Sequence, residues 1–284
     1  MPAAAAPTAE PTPAEAADFR AQHGEDRALF AYFGGRREGF YVEVGAYNGV
    51  DFSNTYFFER IGWRGVLVEP HPGLAGRCRS ARPRSTVVEC AVVPPGSPAA
   101  VTLQVSDGAE LYSSLEMDAA ARRQVRRETG ALVVREVRAE ARTLDAILEG
   151  AGAPAVDFVT IDVEGHELGV LKGFTLARWR PKVVILERNG LAPPPAIVRE
   201  MARGGYVLGR RTGVNDWYFA AADGASRSPG YLARLALAEY GWKPAWALFK
   251  AAARPVTRPT KVLLGRAGLL GRRPAPGAPG ADAR

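Results

Sequence analysis

Short apolar runs alternate with amphipathic segments along most of the chain. Seven runs have the length and β-branched content of strands, at residues 40–44, 65–70, 85–93, 155–163, 181–189, 205–211 and 216–221. Continuous apolar strands separated by helical segments are typical of a parallel sheet with helices on both faces. The last two runs flank a hairpin-like TGVN turn, so we expect them to form an antiparallel pair at the sheet edge. The pattern therefore predicts an α/β fold with a mostly parallel seven-stranded sheet.

Three segments between these runs have the pattern of helices. The first is SNTYFFERIG at 53–62, with Ser53 as its predicted N-cap. The second covers residues 73–81. The third covers 143–152, where Thr143 stands near the start and glycines stand near the stop.

Composition divides the chain into four parts. The Pro- and Ala-rich beginning and the low-complexity end are predicted to be disordered. An insertion in the main domain carries two half-exposed strands at 101–105 and 132–139, and Pro244 should interrupt the helical extension near the end. The predicted parts are a disordered arm at 1–18, the main domain at 19–222 with its insertion at 94–140, a basic helical extension at 223–268 and a disordered tail at 269–284.

Charge is concentrated towards the end of the chain. The net charge is +7, but residues 227–284 alone carry 11 Lys and Arg against 2 acidic residues. A basic extension on a near-neutral body suggests weak contact with an anionic or membrane surface, packing on a second copy as a homodimer, or simple solvation. The basic residues lie outside the main domain, so we expect no specific nucleic-acid partner.

Two cysteines, Cys78 and Cys90, cannot build a disulfide framework and match no zinc spacing. No secretory signal is visible at the N-terminus, and no apolar run is long enough to span a membrane. Together these features predict a cytoplasmic protein.

The first strand ends in a glycine-containing turn with an acidic residue just before it. The sequence is FYVEVGAYNG, in which Glu43 precedes Gly45 and Gly49. In open α/β sheets this edge is where ligands bind. A carboxylate there would repel a pyrophosphate and attract an ammonium group, and the G-x-G-x-x-G spacing of dinucleotide sites is absent. A ligand with an amino-acid end fits better, with its amine on acidic groups and its carboxylate on backbone N–H groups of the turn.

Glu69 closes the second apolar run, 24 residues after Gly45. An acidic residue at this position can accept hydrogen bonds from both hydroxyls of a ribose. The alternative is a surface glutamate that happens to precede Pro70. Its place at the end of a buried strand favours ribose binding.

The densest group of chemical side chains follows the fourth run, in IDVEGHE. Asp162 ends the strand, and Glu164 and His166 follow it directly. Either His166 or Asp162 could take a proton from a substrate hydroxyl. Oxygen and imidazole ligands could also bind a metal, but the spacing matches no firm metal motif, so we predict none. Glu187 ends the fifth run and is expected to face the same crevice.

Together these segments resemble the FkbM-type family of S-adenosylmethionine-dependent methyltransferases. The resemblance covers about residues 20–221, and its matching pieces are AQHGED (21–26), FYVEVGAYNGVDFSNTYFFERIGWRGVLVEPHP (40–72), RTLD (142–145), VDFVTIDVEGHELGVLKGF (156–174) and VVILERN (183–189). It implies a Rossmann-like methyltransferase fold and methyl transfer to the oxygen of a sugar, glycan or natural product.

The resemblance also implies a cofactor, S-adenosyl-L-methionine, and roles for individual residues. Asp162 would lie near the transferring methyl group. Asn54, Glu164 and Glu187 are candidate substrate contacts. The implied cofactor contacts are Glu43, Gly45, Ala46 and Gly49 for the methionine part, Glu69 for the ribose, and Cys90 and Ala91 for the adenine.

Two other functions remain open at the level of sequence. One is a nicotinamide-dependent oxidoreductase on a similar sheet, which would require the missing glycine fingerprint. The other is a binding module that kept the cofactor fold without catalysis, against which the presence of Glu43, Glu69 and Asp162 together argues.

Overall fold

The computed structural model describes residues 10–106, 134–188 and 192–221 of the 284-residue chain. By its contacts the chain splits into two units, Met1–Ala238 and Glu239–Arg284. The predicted extension at 223–268, the tail at 269–284 and the middle of the insertion lie outside the described residues. No helix in the described ranges is long and apolar enough to cross a membrane.

The main sheet contains all seven predicted strands. Its strands are β1 (Phe40–Val44), β2 (Arg64–Val68), β3 (Ser85–Val88), β7 (Phe158–Ile161), β8 (Val183–Glu187), β9 (Tyr206–Thr212) and β10 (Asn215–Ala220). Their spatial order is β3-β2-β1-β7-β8-β10-β9. The pairs from β3 to β8 are all parallel, as the buried apolar runs predict.

The predicted terminal hairpin is present. β10 pairs in the antiparallel sense with both β8 and β9. The antiparallel strand therefore lies one place in from the edge, and β9 forms the edge itself.

A second, three-stranded sheet lies beside the first. Its order is β4-β6-β5, with β4 (Ala91–Val92), β5 (Ala100–Ser106) and β6 (Val134–Arg142). The prediction of one strand over 85–93 was wrong, because β3 ends at Val88 and the chain then pairs with β6 instead. The two predicted strands of the insertion are confirmed as the antiparallel pair β5 and β6.

Short helices cover both faces of the main sheet. Thr143, which was predicted to stand near the start of a helix, is the N-cap of α5 (Leu144–Gly150), where its hydroxyl accepts the Ala146 N–H at 3.2 Å. The helices are α1 (Pro13–Ala16), α2 (Glu25–Tyr32), α3 (Tyr56–Arg60), α4 (Pro72–Ala81), α5 (Leu144–Gly150), α6 (Glu167–Lys172), α7 (Leu176–Trp179) and α8 (Pro195–Arg203).

The predicted N-cap of α3 needs a correction. The residue at that position is Thr55, not Ser53. Ser53 still accepts the N–H of Tyr56 at 3.0 Å and that of Thr55 at 3.2 Å, so its hydroxyl satisfies the helix start from two residues further back.

The prediction of a disordered arm does not hold for residues 10–18. Thr12 and Glu15 form a reciprocal capping box at the start of α1. Glu15 also pairs with Arg37, and Asp18 pairs with Arg60 at 3.1 Å. These contacts order a segment whose Pro and Ala content resembles that of a linker.

Two hydrophobic clusters, one on each face, hold the sheet between the helices. One is mainly aliphatic and includes residues of α5, α6 and α8. The other is aromatic, and Phe158 lies at its centre, with its ring 5.0 Å from that of Phe58 and 5.7 Å from that of Trp63. Contacts between aromatic rings in such inclined arrangements add to the hydrophobic gain of burial.

Replacing Phe158 by Ala should destabilise the domain by about 3–5 kcal/mol, because a fully buried ring leaves a cavity among other rings. Denaturant unfolding measures the change. Val214→Ala, at a residue that is 38% exposed, is the control and should change the free energy of unfolding by less than about 0.5 kcal/mol. Equal effects of the two substitutions would contradict this description of the core.

Candidate active site

A cavity opens at the carboxyl edge of the parallel strands, where β1, β2 and β7 end. Its walls come from the turn after β1, the end of β2, the β4 segment and the loop after β7. It is lined by Glu43, Val44, Gly45, Ala46, Tyr47, Asp51, Phe52, Ser53, Asn54, Val68, Glu69, Pro70, Leu74, Cys90, Ala91, Val92, Leu103, Thr160, Asp162, Val163, Glu164 and His166. Most of the predicted site residues therefore meet at one place, although they come from distant parts of the sequence.

Gly45 allows the turn after β1 to lie directly against the end of β7. Its φ is +83°, and a Cβ atom at this position would be 1.7 Å from the carbonyl oxygen of Asp162. Only glycine fits both the backbone conformation and this close approach. The first glycine of the turn thus serves the contact between two strand ends.

The N–H groups of this turn are engaged within the protein. Gly45 and Ala46 both donate to the carbonyl of Val68, at 2.9 and 3.2 Å, and Tyr47 donates to Glu69 at 2.9 Å. These three N–H groups thus donate to the end of β2 and to Glu69 just after it, and the contact of turn N–H groups with a ligand carboxylate stays a prediction.

Glu43 is buried, and its carboxylate accepts hydrogen bonds from Ser53, Asn54 and Thr55. One carboxylate oxygen accepts the hydroxyls of Ser53 and Thr55 at 2.9 and 2.6 Å, and the other accepts the N–H of Asn54 at 3.1 Å. Burial raises the pKa of Glu43, while Arg82 and these donors oppose the rise. Glu43 is one of the residues that line the cavity, and the predicted contact of its carboxylate with a ligand amine stays a prediction.

Arg82 supports this arrangement from behind. It is 1% exposed, and its five N–H groups make five hydrogen bonds. The acceptors are Glu59 Oε2 at 3.0 Å, the Gly49 carbonyl at 2.9 Å, Ser53 Oγ at 3.3 Å, the Tyr41 hydroxyl at 2.8 Å and Thr55 Oγ1 at 2.9 Å. Its guanidinium also lies 3.6 Å from Glu43. One buried cation thus joins β1, the turn and α3.

Glu69 is held in a fixed orientation at the end of β2. One of its oxygens accepts the Tyr47 N–H and the other accepts the His71 N–H, both at 2.9 Å. Each oxygen keeps further acceptor capacity, and the residue lines the cavity. Burial raises the pKa of Glu69 to about 7 despite these two donors.

The remaining cofactor candidates divide into two groups. Ala46, Cys90 and Ala91 line the cavity. Gly49 is not among the lining residues, and a Cβ atom there would lie 3.1 Å from Arg82 Cγ and 3.2 Å from the Cα atom of Cys78. The second glycine therefore allows the turn to pack on α4, away from the cavity.

Three carboxylates meet where β7 and β8 end side by side. One oxygen each from Asp162, Glu164 and Glu187 lies within 4.8 Å of the others. Although Asp162 is accessible as a whole residue, desolvation of its carboxyl by the surrounding wall and the nearby charge of Glu187 raise its pKa well above the ordinary value. Asp162 and Glu164 line the cavity, whereas Glu187 contacts Asp162 from behind.

His166 lines the cavity at the start of α6. Its Nε2 atom is buried, and the ring lies over Gly169, where a Cβ atom would be 2.2 Å from that nitrogen. Asn54, predicted to touch substrate, donates its amide to Thr160 Oγ1 at 2.9 Å while also lining the cavity. Both predicted roles stay predictions.

Several residues of the site escaped the sequence interpretation. Arg82 begins the segment Arg-Pro-Arg-Ser, a composition that is typical of a solvated basic turn. Phe52 lines the cavity, is 52% exposed and has a φ of +61°. Nothing local in the sequence marks either residue, because both depend on contacts across the fold.

A parallel sheet with acidic residues at the ends of β1, β2 and β7, all on one cavity, defines a Rossmann-like fold of the cofactor-binding type. The family model described as the methyltransferase FkbM domain matches residues 43–208. The chain belongs to this family, and it is an S-adenosylmethionine-dependent methyltransferase. This assignment replaces the two alternative functions that the sequence had left open, a nicotinamide-dependent oxidoreductase and a non-catalytic binding module. The AQHGED segment lies outside the matched range.

A search of curated proteins gave no significant match. Similar solved structures include a TehB-like SAM-dependent methyltransferase from Corynebacterium glutamicum, at 10% identity and TM-score 0.37, covering 72% of this chain and 92% of that one. Another is the precorrin-6y C5,15-methyltransferase of Geobacter metallireducens, at 14% identity and TM-score 0.37, covering 68% and 84%. Fibrillarin of Aeropyrum pernix with bound S-adenosyl-L-methionine gives 13% identity and TM-score 0.32, covering 64% and 66%. At these scores the likenesses carry no argument about substrate.

Replacing Gly45 by Ala should abolish measurable binding of S-adenosylhomocysteine and lower stability by more than about 1 kcal/mol, because the new Cβ atom must displace the turn from Asp162. Isothermal titration calorimetry and thermal unfolding measure the two effects. Gly76→Ala in α4 meets nothing within 4 Å and is the matched control. Wild-type binding by Gly45→Ala would disprove the role of this close approach.

Proposed function

We propose that this methyltransferase binds S-adenosyl-L-methionine in the cavity and transfers its methyl group to a hydroxyl of a sugar, glycan or natural product. The observation that carries the proposal is the placement of two different acidic groups on one cavity. One is Glu69, whose carboxylate is held in a fixed orientation at the end of β2. The other is Asp162, which lies with Glu164 and Glu187 in a cluster of three carboxylates at the end of β7.

Glu69 suits a ribose. Each of its two oxygens already accepts one N–H, which fixes the carboxylate plane and leaves acceptor capacity on both. Two neighbouring hydroxyls can then donate to the two oxygens. Ala46, Cys90 and Ala91 supply apolar wall on the same cavity, as the predicted place of the adenine and the methionine chain requires.

Glu43 suits the amino-acid end of the cofactor. Its three short hydrogen bonds use part of the acceptor capacity of the carboxylate, which has about four lone-pair sites. A ligand ammonium group can take the remaining capacity and would compensate for the buried negative charge.

The chemistry of transfer needs positioning and a base. The bound cofactor supplies an activated methyl group, so the chain must hold the acceptor oxygen in line and remove its proton as the new bond forms. Asp162 is our first candidate for that base, since its raised pKa makes it a stronger base than an ordinary carboxylate. His166 is the second, and Asn54, Glu164 and Glu187 would position the acceptor.

The acceptor class is tested by incubating the protein with isotopically methyl-labelled S-adenosylmethionine and a panel of methyl glycosides, polyhydroxylated natural products, amines and thiols. We expect acceptor-dependent formation of S-adenosylhomocysteine and a product with the label on oxygen, as located by NMR. Chelation with EDTA should leave the rate unchanged. A label on nitrogen, sulfur or carbon would overturn the O-methyl assignment.

Binding of 5′-methylthioadenosine, which has the ribose and adenine without the amino-acid end, should tighten as pH rises through about 7. Glu69 has a raised pKa of about 7, so it is neutral below that value and ionised above it. The ionised form accepts hydrogen bonds on both oxygens. Glu69→Gln should bind about tenfold more weakly at high pH and should lose this pH dependence. Calorimetry from about pH 6 to 8 gives both results, and an unchanged pH profile in Glu69→Gln would exclude the ribose role.

The base is identified by comparing Asp162→Asn with His166→Gln. Loss of the base should lower kcat by about 100-fold or more and leave the dissociation constant of S-adenosylhomocysteine within about twofold of the wild-type value. The residue whose substitution lowers kcat without changing the dissociation constant of S-adenosylhomocysteine is the base. Full turnover in both variants would eliminate both candidates.

A further inference from the structure

The hydrogen bonds of Arg82 constrain the hydroxyl protons next to it. Guanidinium N–H groups donate to Ser53 Oγ and Thr55 Oγ1, at 3.3 and 2.9 Å. Arginine has no acceptor, so neither hydroxyl can donate back to it. The two hydroxyls lie 3.4 Å apart, and each has its nearer acceptor in Glu43, at 2.9 and 2.6 Å, so each directs its proton to that carboxylate.

The hydrogen bonds therefore run in one direction, from Arg82 through the hydroxyls of Ser53 and Thr55 to Glu43. We call these hydrogen bonds the relay. Arg82 is not among the residues that line the cavity, whereas Glu43 and Ser53 are. The same guanidinium holds the Gly49 carbonyl and so fixes the far end of the turn. The conformation and the charge of the predicted amine-binding carboxylate are thus set by a residue that touches no ligand.

We propose that Arg82 is a positioning residue that tunes the amino-acid half of the cofactor site through Ser53, Thr55 and Glu43. This inference rests on the proposed function, because it assigns the Glu43 end of the cavity to the cofactor amine. The ribose end receives none of its donors from Arg82, Ser53 or Thr55, since Glu69 accepts from the N–H groups of Tyr47 and His71. Disturbing Arg82 should therefore affect one half of the ligand and spare the other.

Two nucleosides separate these halves. S-adenosylhomocysteine has both the ribose and the amino-acid end, and 5′-methylthioadenosine has only the ribose and adenine. Arg82→Lys keeps the positive charge but has three donors in place of a planar fork of five. We expect it to weaken S-adenosylhomocysteine about tenfold or more, and to leave 5′-methylthioadenosine within about twofold.

A second variant tests the relay while keeping Arg82, although it removes one of the five acceptors of the guanidinium. Thr55→Val removes one hydroxyl at nearly constant shape and should weaken S-adenosylhomocysteine by about threefold to tenfold, again without effect on 5′-methylthioadenosine. This variant keeps the proposal testable if Arg82→Lys fails to fold. The control is Arg79→Met on α4, which removes an arginine of the exposed pair with Glu89 and should change neither affinity.

The association constant of S-adenosylhomocysteine, divided by that of 5′-methylthioadenosine, should also depend on pH. Both nucleosides depend on Glu69, so its titration cancels in the ratio, which then reports Glu43. The hydrogen bond from the Thr55 hydroxyl lowers the pKa of Glu43, so in Thr55→Val the ratio should begin to fall at a higher pH, as the pH is lowered, than in the wild type.

The outcomes of calorimetry are distinguishable. If the wild-type protein binds neither nucleoside, the proposed function fails. If the wild type binds both and Arg82→Lys and Thr55→Val weaken both equally, the effect is a general loss of structure and the proposal is wrong. Unchanged affinities in both variants would also overturn it. Selective loss of S-adenosylhomocysteine, with Arg79→Met unchanged, supports it.

Discussion

The guanidinium of Arg82 lies between the carboxylates of Glu43 and Glu59, almost without contact with water. Burial of three charges is costly unless their geometry and hydrogen bonds are complete. Here the five N–H groups of the arginine all have acceptors. The requirement to satisfy this cation brings β1, the turn, α3 and the end of α4 into one arrangement. The shape of the cavity wall follows from that arrangement.

The second constraint is the close approach of neighbouring strand ends. Gly45 lies against the carbonyl of Asp162, which ties the turn after β1 to the loop after β7. The carboxylates of Asp162 and Glu187 then share the adjacent ends of β7 and β8. Desolvation and the nearby charge of Glu187 raise the pKa of Asp162, so the packing of the strand ends also sets the electrostatics at this edge of the sheet.

The sequence predicted the strands well because burial on both faces demands continuous apolar runs, and all seven are in the sheet. It also placed Glu69 and Asp162 on the site, since parallel strands bring their carboxyl ends to one edge. The break between β3 and β4 was missed because both halves are apolar. Residues 10–18 were misjudged because a capping box and an ion pair order a segment of linker-like composition. The contacts of Ser53 and Thr55 with Arg82 were not predicted, because Arg82 is far along the chain and stands in a basic segment that is typical of an exposed turn.

We propose above all that Glu69 and Glu43 hold the ribose and the amino-acid end of S-adenosylmethionine while Asp162 stands beside the transferring methyl group. A crystal structure of the complex with S-adenosylhomocysteine tests it most directly. We expect both ribose hydroxyls within hydrogen-bonding distance of the two Glu69 oxygens, the amine next to Glu43, and the sulfur facing Asp162. A ribose without contact to Glu69, or a ligand outside this cavity, would contradict the claim.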